Sequence, residues 1–369
     1  MSKFIIAFVF LINITACHDF LGDKTTEYPF YVGTYTNGDS EGIYKYSLHI
    51  DGTLSKIGLV AKTENPSFLT ISKDRKYLLA CKTNSDVEGS KIKSFLINDD
   101  SLSYITNSTT GGAHPCYITI NKYNYIITAN YTTGNVSLHK LDNLGKVSDL
   151  LFSQDHFGKG VTDRQKSPHA HSTFFDADEL DVISVDLGTN DLWFSRLDTI
   201  KNKLIESKPY KLAMSPGAGP RHLIFHPNKK WIYVINELNC TVTQLKKNTK
   251  EKYEIVASWT TLPSGYIKPN TCADIHISAD GKYLYASNRG HNSIAIYKVN
   301  ADTGTLILIG HENTKGVKPR NFSLSPHDSH LLVANQTTNN IVSFKRDKNT
   351  GLLEYIDQIE APTPVCILF

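Results

Sequence analysis

One two-strand unit recurs along most of this chain, and no other feature limits its fold as much. In GAGPRHLIFHPNKKWIYVINEL, from Gly217 to Leu238, a turn rich in Gly and Pro precedes an apolar run (Leu223, Ile224, Phe225). A polar turn from Pro227 to Lys230 then leads into a second apolar run from Trp231 to Ile235. Two strands joined by a turn is the plain reading. The pattern returns from Pro66, as PCYITINKYNYIITAN from Pro115, as AHSTFFDADELDVISVD from Ala170, as CADIHISADGKYLYASN from Cys272 and as PRNFSLSPHDSHLLVAN from Pro319. Each copy leads into a third strand, such as Asn135 to Leu141 or Ser293 to Val299, and turns such as Asp302-Thr303-Gly304 lead into a fourth.

Four short strands at a period of about 45 to 55 residues are the signature of a β-propeller blade. Six copies are explicit. A seventh blade forms if Pro364 to Phe369 pairs with the first strand at Phe30, which also removes two open sheet edges. The expectation is an all-β, seven-bladed β-propeller with four antiparallel strands per blade, closed by its N- and C-terminal strands. Residues 30–369 then form a single domain. No linker interrupts the repeat, and Gly and Pro fall too often for long helices.

Hydrophobic content of 40% with 20% charged residues supplies a large core. A net charge of +3 without a basic run or basic helix argues against a nucleic-acid partner. The N-terminus differs in kind: Lys3 is followed by an apolar run from Phe4 to Ile12 and then by ITAC, ending at Cys17. This is a secretory signal over residues 1–16, too short to span a bilayer permanently. ITAC resembles a bacterial lipoprotein box, so Cys17 is expected to carry a lipid anchor, with a tether up to residue 29. The expected location is that of an exported lipoprotein, periplasm-facing or in the outer membrane, or the cytoplasm if the signal is not used. Cys81, Cys116, Cys240, Cys272 and Cys366 are scattered and lack CxxC spacing, which suggests buried small side chains and neither disulfides nor zinc.

In an antiparallel hairpin the start of one strand and the end of the next share an edge. The repeat therefore lists what gathers at one mouth of the pore. Ser67, Cys116, His171, Arg221, Ala273 and Arg320 stand at the start position. Lys82, Asn130, Asp186, Asn236, Asn288 and Asn335 stand at the end position, followed by Thr83, Tyr131, Leu187, Glu237, Arg289 and Gln336. The repeated amide reads first as a residue that satisfies turn backbone, with substrate contact as a further role for Asp186, Asn236, Asn288 and Asn335. His226 and His276 read as framework. His171, Arg221, Glu237 and Arg289 differ, because other copies carry Ser, Ala, Thr or Leu there. These four are the candidate catalytic residues, and His169, His222 and Arg320 join the candidate substrate contacts. His169 and His171 share one face of a strand, but no carboxylate or Cys stands at ligand spacing, so no metal is expected.

The segments GAGPRH, VINEL, ASNRGHNSIAIY, KPRNFSLSP, SPHAHS and YVGTYT closely resemble the lactonase family of seven-bladed propellers. That family includes the propeller type of 6-phosphogluconolactonase and, more distantly, fungal carboxymuconate-lactonizing enzyme. The resemblance runs from about Tyr31 to Phe369. It implies a site of His, Arg, Glu and a second Arg, which by motif fall on His171, Arg221, Glu237 and Arg289, the residues that register selects. It also implies a cofactor-free hydrolase of carbohydrate metabolism acting on a sugar lactone. His171 would be the general base, with Glu237 orienting it or acting in its place. Arg221 and Arg289 would stabilise the oxyanion or hold an anionic group. The same groups suit a cycloisomerase, and a propeller without activity could serve as a surface scaffold. Export sets this chain apart from cytoplasmic family members and bears on whether its substrate is phosphorylated.

Overall fold

The structure, a computed structural model, describes residues 26–369; the expected signal over residues 1–16 and the expected lipid site at Cys17 lie outside the described residues. Seven four-stranded antiparallel sheets follow one another around a ring, and the described residues include a single short 3-10 turn, Asp163–Gln165. The expected seven-bladed propeller is therefore what this chain forms. Blade 1 takes its innermost strand, Pro364–Leu368, from the C-terminus, next to Glu27–Thr34, Gly42–His49 and Leu54–Lys62. Blades 2 to 7 begin with inner strands Pro66–Ile71, Pro115–Ile120, Ala170–Phe175, Pro220–Phe225, Cys272–Ile277 and Pro319–Leu324.

The ring closes where Tyr31, Val32 and Gly33 pair with Leu368, Ile367 and Cys366. The first strand starts earlier than expected. Glu27 and Tyr28, read from sequence as the end of the tether, pair with His49 and Leu48. Glu27 is exposed and Tyr28 only partly buried against the blade core, so hydrophobic patterning did not include them.

In blades 2 to 7 the second strands bury nearly every side chain and the inner strands leave none exposed, because each blade is covered on both faces by its neighbours. Val234, Leu223 and Ile232 of blade 5 pack with Ile183, Val185 and Leu192 of blade 4, while Tyr233 and Ile235 pack with Leu284 and Ala286 of blade 6. Burial of such side chains contributes about 1.5 to 3 kcal/mol each. Polar ties add direction. Tyr233 Oη donates to Gly304 O at 2.7 Å and Tyr285 Oη to Gly351 O at 2.8 Å, each reaching the outer turn of the following blade. Gly351 has φ +75°, and a Cβ there would come within 2.2 Å of the Tyr283 ring. Glycine is thus required both by conformation and by space.

Candidate active site

The first residue after the start of each inner strand is where the ladder breaks. Register shifts fall between Ala170 and Ser172, Pro220 and His222, Pro319 and Asn321, and likewise around Ser67 and Cys116. A bulge leaves its extra residue unpaired and re-aims its side chain. His171, Arg221 and Arg320 are such residues; His171 and Arg320 reach the cavity at the pore mouth, Arg221 lies beneath it, and each second strand delivers its next residue beside them. Tyr35, Cys116, Tyr131, Arg164, His171, Glu237, Arg289, Lys318 and Arg320 line a cavity of roughly 510 Å³ there, with Thr83, His114, Thr132, Thr271 and Gln336.

Glu237 is the hub of this site. Its Oε2 accepts from Arg221 Nε at 3.1 Å and pairs with Arg289 Nη2 at 2.7 Å, while its Oε1 accepts from Arg164 Nη2 at 3.0 Å. Burial alone would raise its pKa, but Arg289, Arg221, Arg164 and Arg320 overcome that and hold it at about 2. The carboxylate is a fixed anion, a poor proton acceptor near neutrality. It is committed to guanidinium groups, and no hydrogen bond joins it to His171 among the described residues. The expectation that Glu237 orients the imidazole or replaces it as base does not fit this geometry.

Arg221 lies beneath the cavity rather than on its wall. It is 2% exposed. Its Nη1 donates to Ala273 O at 2.6 Å and to His222 Nε2 at 3.2 Å, and His222 Nδ1 meets Asp274 Oδ1 at 2.7 Å. The Asp274 bond sets the tautomer: His222 donates through Nδ1 and accepts through Nε2. Burial, then Arg221, push the His222 pKa down to about 4, more than Asp274 raises it, so the ring is neutral. Burial with neighbouring Arg289 and Arg320 lowers Arg221 to about 10, still charged at pH 7.

His171 is buried among Tyr131 and His222, with ring centroids 5.8 and 5.2 Å away. Burial first, then Arg221, His222, Arg320 and Arg289, hold its pKa well below the usual imidazole range. Its Nδ1 has no hydrogen-bond partner. With Nδ1 sealed from solvent, the neutral imidazole on the wall of this polar cavity has Nε2 left to accept a proton from bound water. Arg320 Nη2 donates to Tyr35 Oη at 3.1 Å, and among the described residues no carboxylate pairs with it. Cys116 also lines the cavity, but burial pushes its thiol up to about 12, which removes it as a nucleophile.

Of the expected substrate contacts, Arg320 lines the cavity and six do not. Asn236 donates to Thr241 and Thr243, Asn288 to Thr261 O, and Asn335 to Thr314 O, so these amides tie strand ends together. Asp186 binds His156 and the His169 and Thr189 backbone N–H groups. His169 stacks on Tyr131 at 4.5 Å and bonds Tyr131 O, and His222 sits below Arg221. The correction follows from burial: the amide N–H groups are taken up by turn backbone and hydroxyls, and all three amides are buried away from the cavity, as Asp186 and His222 are. Sequence reasoning missed Arg164, Tyr35, Tyr131 and Lys318 as wall residues. Tyr131 stood in the register list, whereas Arg164 belongs to no repeat. Among the described residues no group of three His, Cys, Asp or Glu side chains gathers at metal-ligating spacing.

A cationic cavity at the pore mouth of a seven-bladed ring, with the His171 imidazole on its wall, defines a propeller suited to a small polar molecule. The chain belongs to the lactonase family of seven-bladed β-propellers, whose family model matches residues 29–369. Lactone hydrolysis is the activity class that membership carries. The chain is 34% identical over 348 residues to the 6-phosphogluconolactonase of Bacillus subtilis, covering 93% of this chain and 99% of that one. It is 36% identical to the 6-phosphogluconolactonase of Formosa agariphila, covering 89% and 95% of the two chains. The periplasmic gluconolactonase of Pseudomonas aeruginosa superposes with a TM-score of 0.87 at 28% identity, covering 92% and 98%.

Proposed function

We propose that this protein hydrolyses 6-phosphogluconolactone to 6-phosphogluconate. The observation that carries the choice of substrate is charge: Arg164, Arg289, Lys318 and Arg320 line the cavity against the single carboxylate of Glu237. Such a surplus favours a dianionic phosphomonoester over a neutral lactone. His171 takes a proton from water as the water oxygen bonds the lactone carbonyl carbon. Arg289 and Arg320 stabilise the resulting oxyanion. The tetrahedral intermediate then expels the ring oxygen, which recovers the proton from His171, so the imidazole ends neutral. Glu237 and Arg221 do no proton transfer; they hold Arg289 in place.

Lactones of this kind open spontaneously, so the test is turnover above the uncatalysed rate for 6-phosphogluconolactone and gluconolactone. The expected result is a higher kcat/KM for the phosphorylated lactone. Arg320→Ala should lower kcat about 10²- to 10³-fold on both lactones, the usual cost of an oxyanion donor. No turnover above background, or an Arg320→Ala variant at full rate, would sink the assignment.

The N-terminal sequence and the likeness to a periplasmic gluconolactonase favour a second reading, in which an exported protein opens the unphosphorylated lactone. It is carried by the proposal that Cys17 is lipidated after signal removal. Cys17→Ser should move the protein from the membrane fraction to the soluble fraction; unchanged fractionation would remove the anchor from the account. A gluconolactone preference in the assay above would select this reading.

A further inference from the structure

Arg164 reaches the cavity by a route that no blade repeat supplies. Fourteen residues, 156–169, separate the last strand of blade 3 from the first of blade 4 and bring Arg164 to the cavity at the pore mouth. Both ends of this strap are clamped by one carboxylate: Asp186 Oδ2 meets His156 Nδ1 at 2.8 Å, and Oδ1 accepts from the His169 backbone N–H at 2.9 Å. Its middle is pinned by Gln165, which is fully buried and donates to Leu187 O at 2.8 Å and Asn190 Oδ1 at 3.0 Å. The backbone beside Arg164 is therefore held while its side chain projects into the cavity.

That side chain is bound differently from the other guanidinium groups around Glu237. Arg221 and Arg289 share Oε2 and are 3% and 12% exposed at the side chain, whereas Arg164 takes Oε1 alone and is 53% exposed. Its second partner is the neutral Tyr131 hydroxyl at 3.0 Å. If Arg164 turns away, Glu237 keeps two buried partners, so its charge stays compensated. Withdrawing Arg221 or Arg289 would instead disturb the buried hub itself. Arg164 can thus leave for an incoming anion at little cost.

We propose that Arg164 is the specificity-determining residue of the site, a clamp that leaves Glu237 Oε1 to bind a phosphomonoester on the substrate. This rests on the lactonase reading for the reaction but makes a separate claim about selectivity. The test compares the full mature protein with its Arg164→Ala and Arg164→Lys variants. Turnover is measured on both lactones, and the stable products 6-phosphogluconate and gluconate are titrated by calorimetry.

A charge-assisted bond to phosphate corresponds to about 10- to 100-fold in affinity. Arg164→Ala should weaken 6-phosphogluconate binding by about that factor beyond any change for gluconate, and raise KM more for the phosphorylated lactone than for gluconolactone. Arg164→Lys should fall between. Equal losses for both products, no loss for either, or no binding of 6-phosphogluconate by the wild type would overturn the clamp. Absence of turnover by the wild type with phosphate-selective titration intact would instead refute the hydrolase reading and leave the clamp standing.

Discussion

Replacing His171 with Ala lowers kcat by about 10²- to 10⁴-fold, the range for removal of a general base, with a much smaller change in KM. The expectation follows from an imidazole that lines the cavity and, with Nδ1 sealed from solvent, has Nε2 left to meet water. His171→Gln, which keeps more of the side-chain volume, should lose as much activity while unfolding close to the wild type. That pair separates lost chemistry from a packing defect. The pH profile gives a second, independent reading. A base must be neutral to work, and the surrounding guanidinium groups and burial hold His171 well below the usual imidazole pKa. The kcat/KM of the free enzyme should therefore stay level as pH falls through 6.5 and decline only at clearly more acidic pH. Full activity in His171→Ala, or an acidic limb centred at pH 6.5 or above, assigns the base elsewhere.

Glu237→Gln should cost about 3 to 5 kcal/mol of folding stability, the range for breaking a buried ion pair from one side. The amide can still accept a hydrogen bond but leaves Arg221, Arg289 and Arg164 facing one another without a counter-charge. Linkage gives a similar size. The carboxyl is held at about 2 against an ordinary value of 4.5. At roughly 1.4 kcal/mol per unit, that difference corresponds to about 3 kcal/mol. The sign is fixed by which state binds the proton more readily. Below pH 4.5 the unfolded chain takes it up first, so the contribution is complete above that pH and fades as pH drops toward 2. Denaturant midpoints of wild type and variant should thus be far apart at pH 7, with little change in m, and draw together in acid. A Glu237→Gln midpoint equal to the wild type at pH 7 would mean that the carboxylate is not the hub described above.

The ring order was legible because a propeller repeats its sequence logic. Each blade must bury both faces, so apolar runs recur at the same positions, and aligning them predicts which residues share an edge. That alignment brought His171, Arg221, Glu237, Arg289 and Arg320 to one mouth without any distance. It also overassigned function. Asn236, Asn288 and Asn335 sit at equivalent positions, and register cannot reveal that their amides are spent on neighbouring strands. Nor could it show that Arg221 lies under the cavity floor, since a bulge residue can be aimed into the wall or out of it.

Arg164 marks the other limit. The long connection between Asp155 and Ala170 lies outside the repeat, and such a segment has no register to place it. The chain alone determined the closed ring and the set of residues delivered to one rim, because those depend on local periodicity. Tertiary structure decided which of them are wall, floor or framework and brought a distant strap over Glu237. Those outcomes depend on where each side chain finds a partner, and burial makes an unpaired polar group costly.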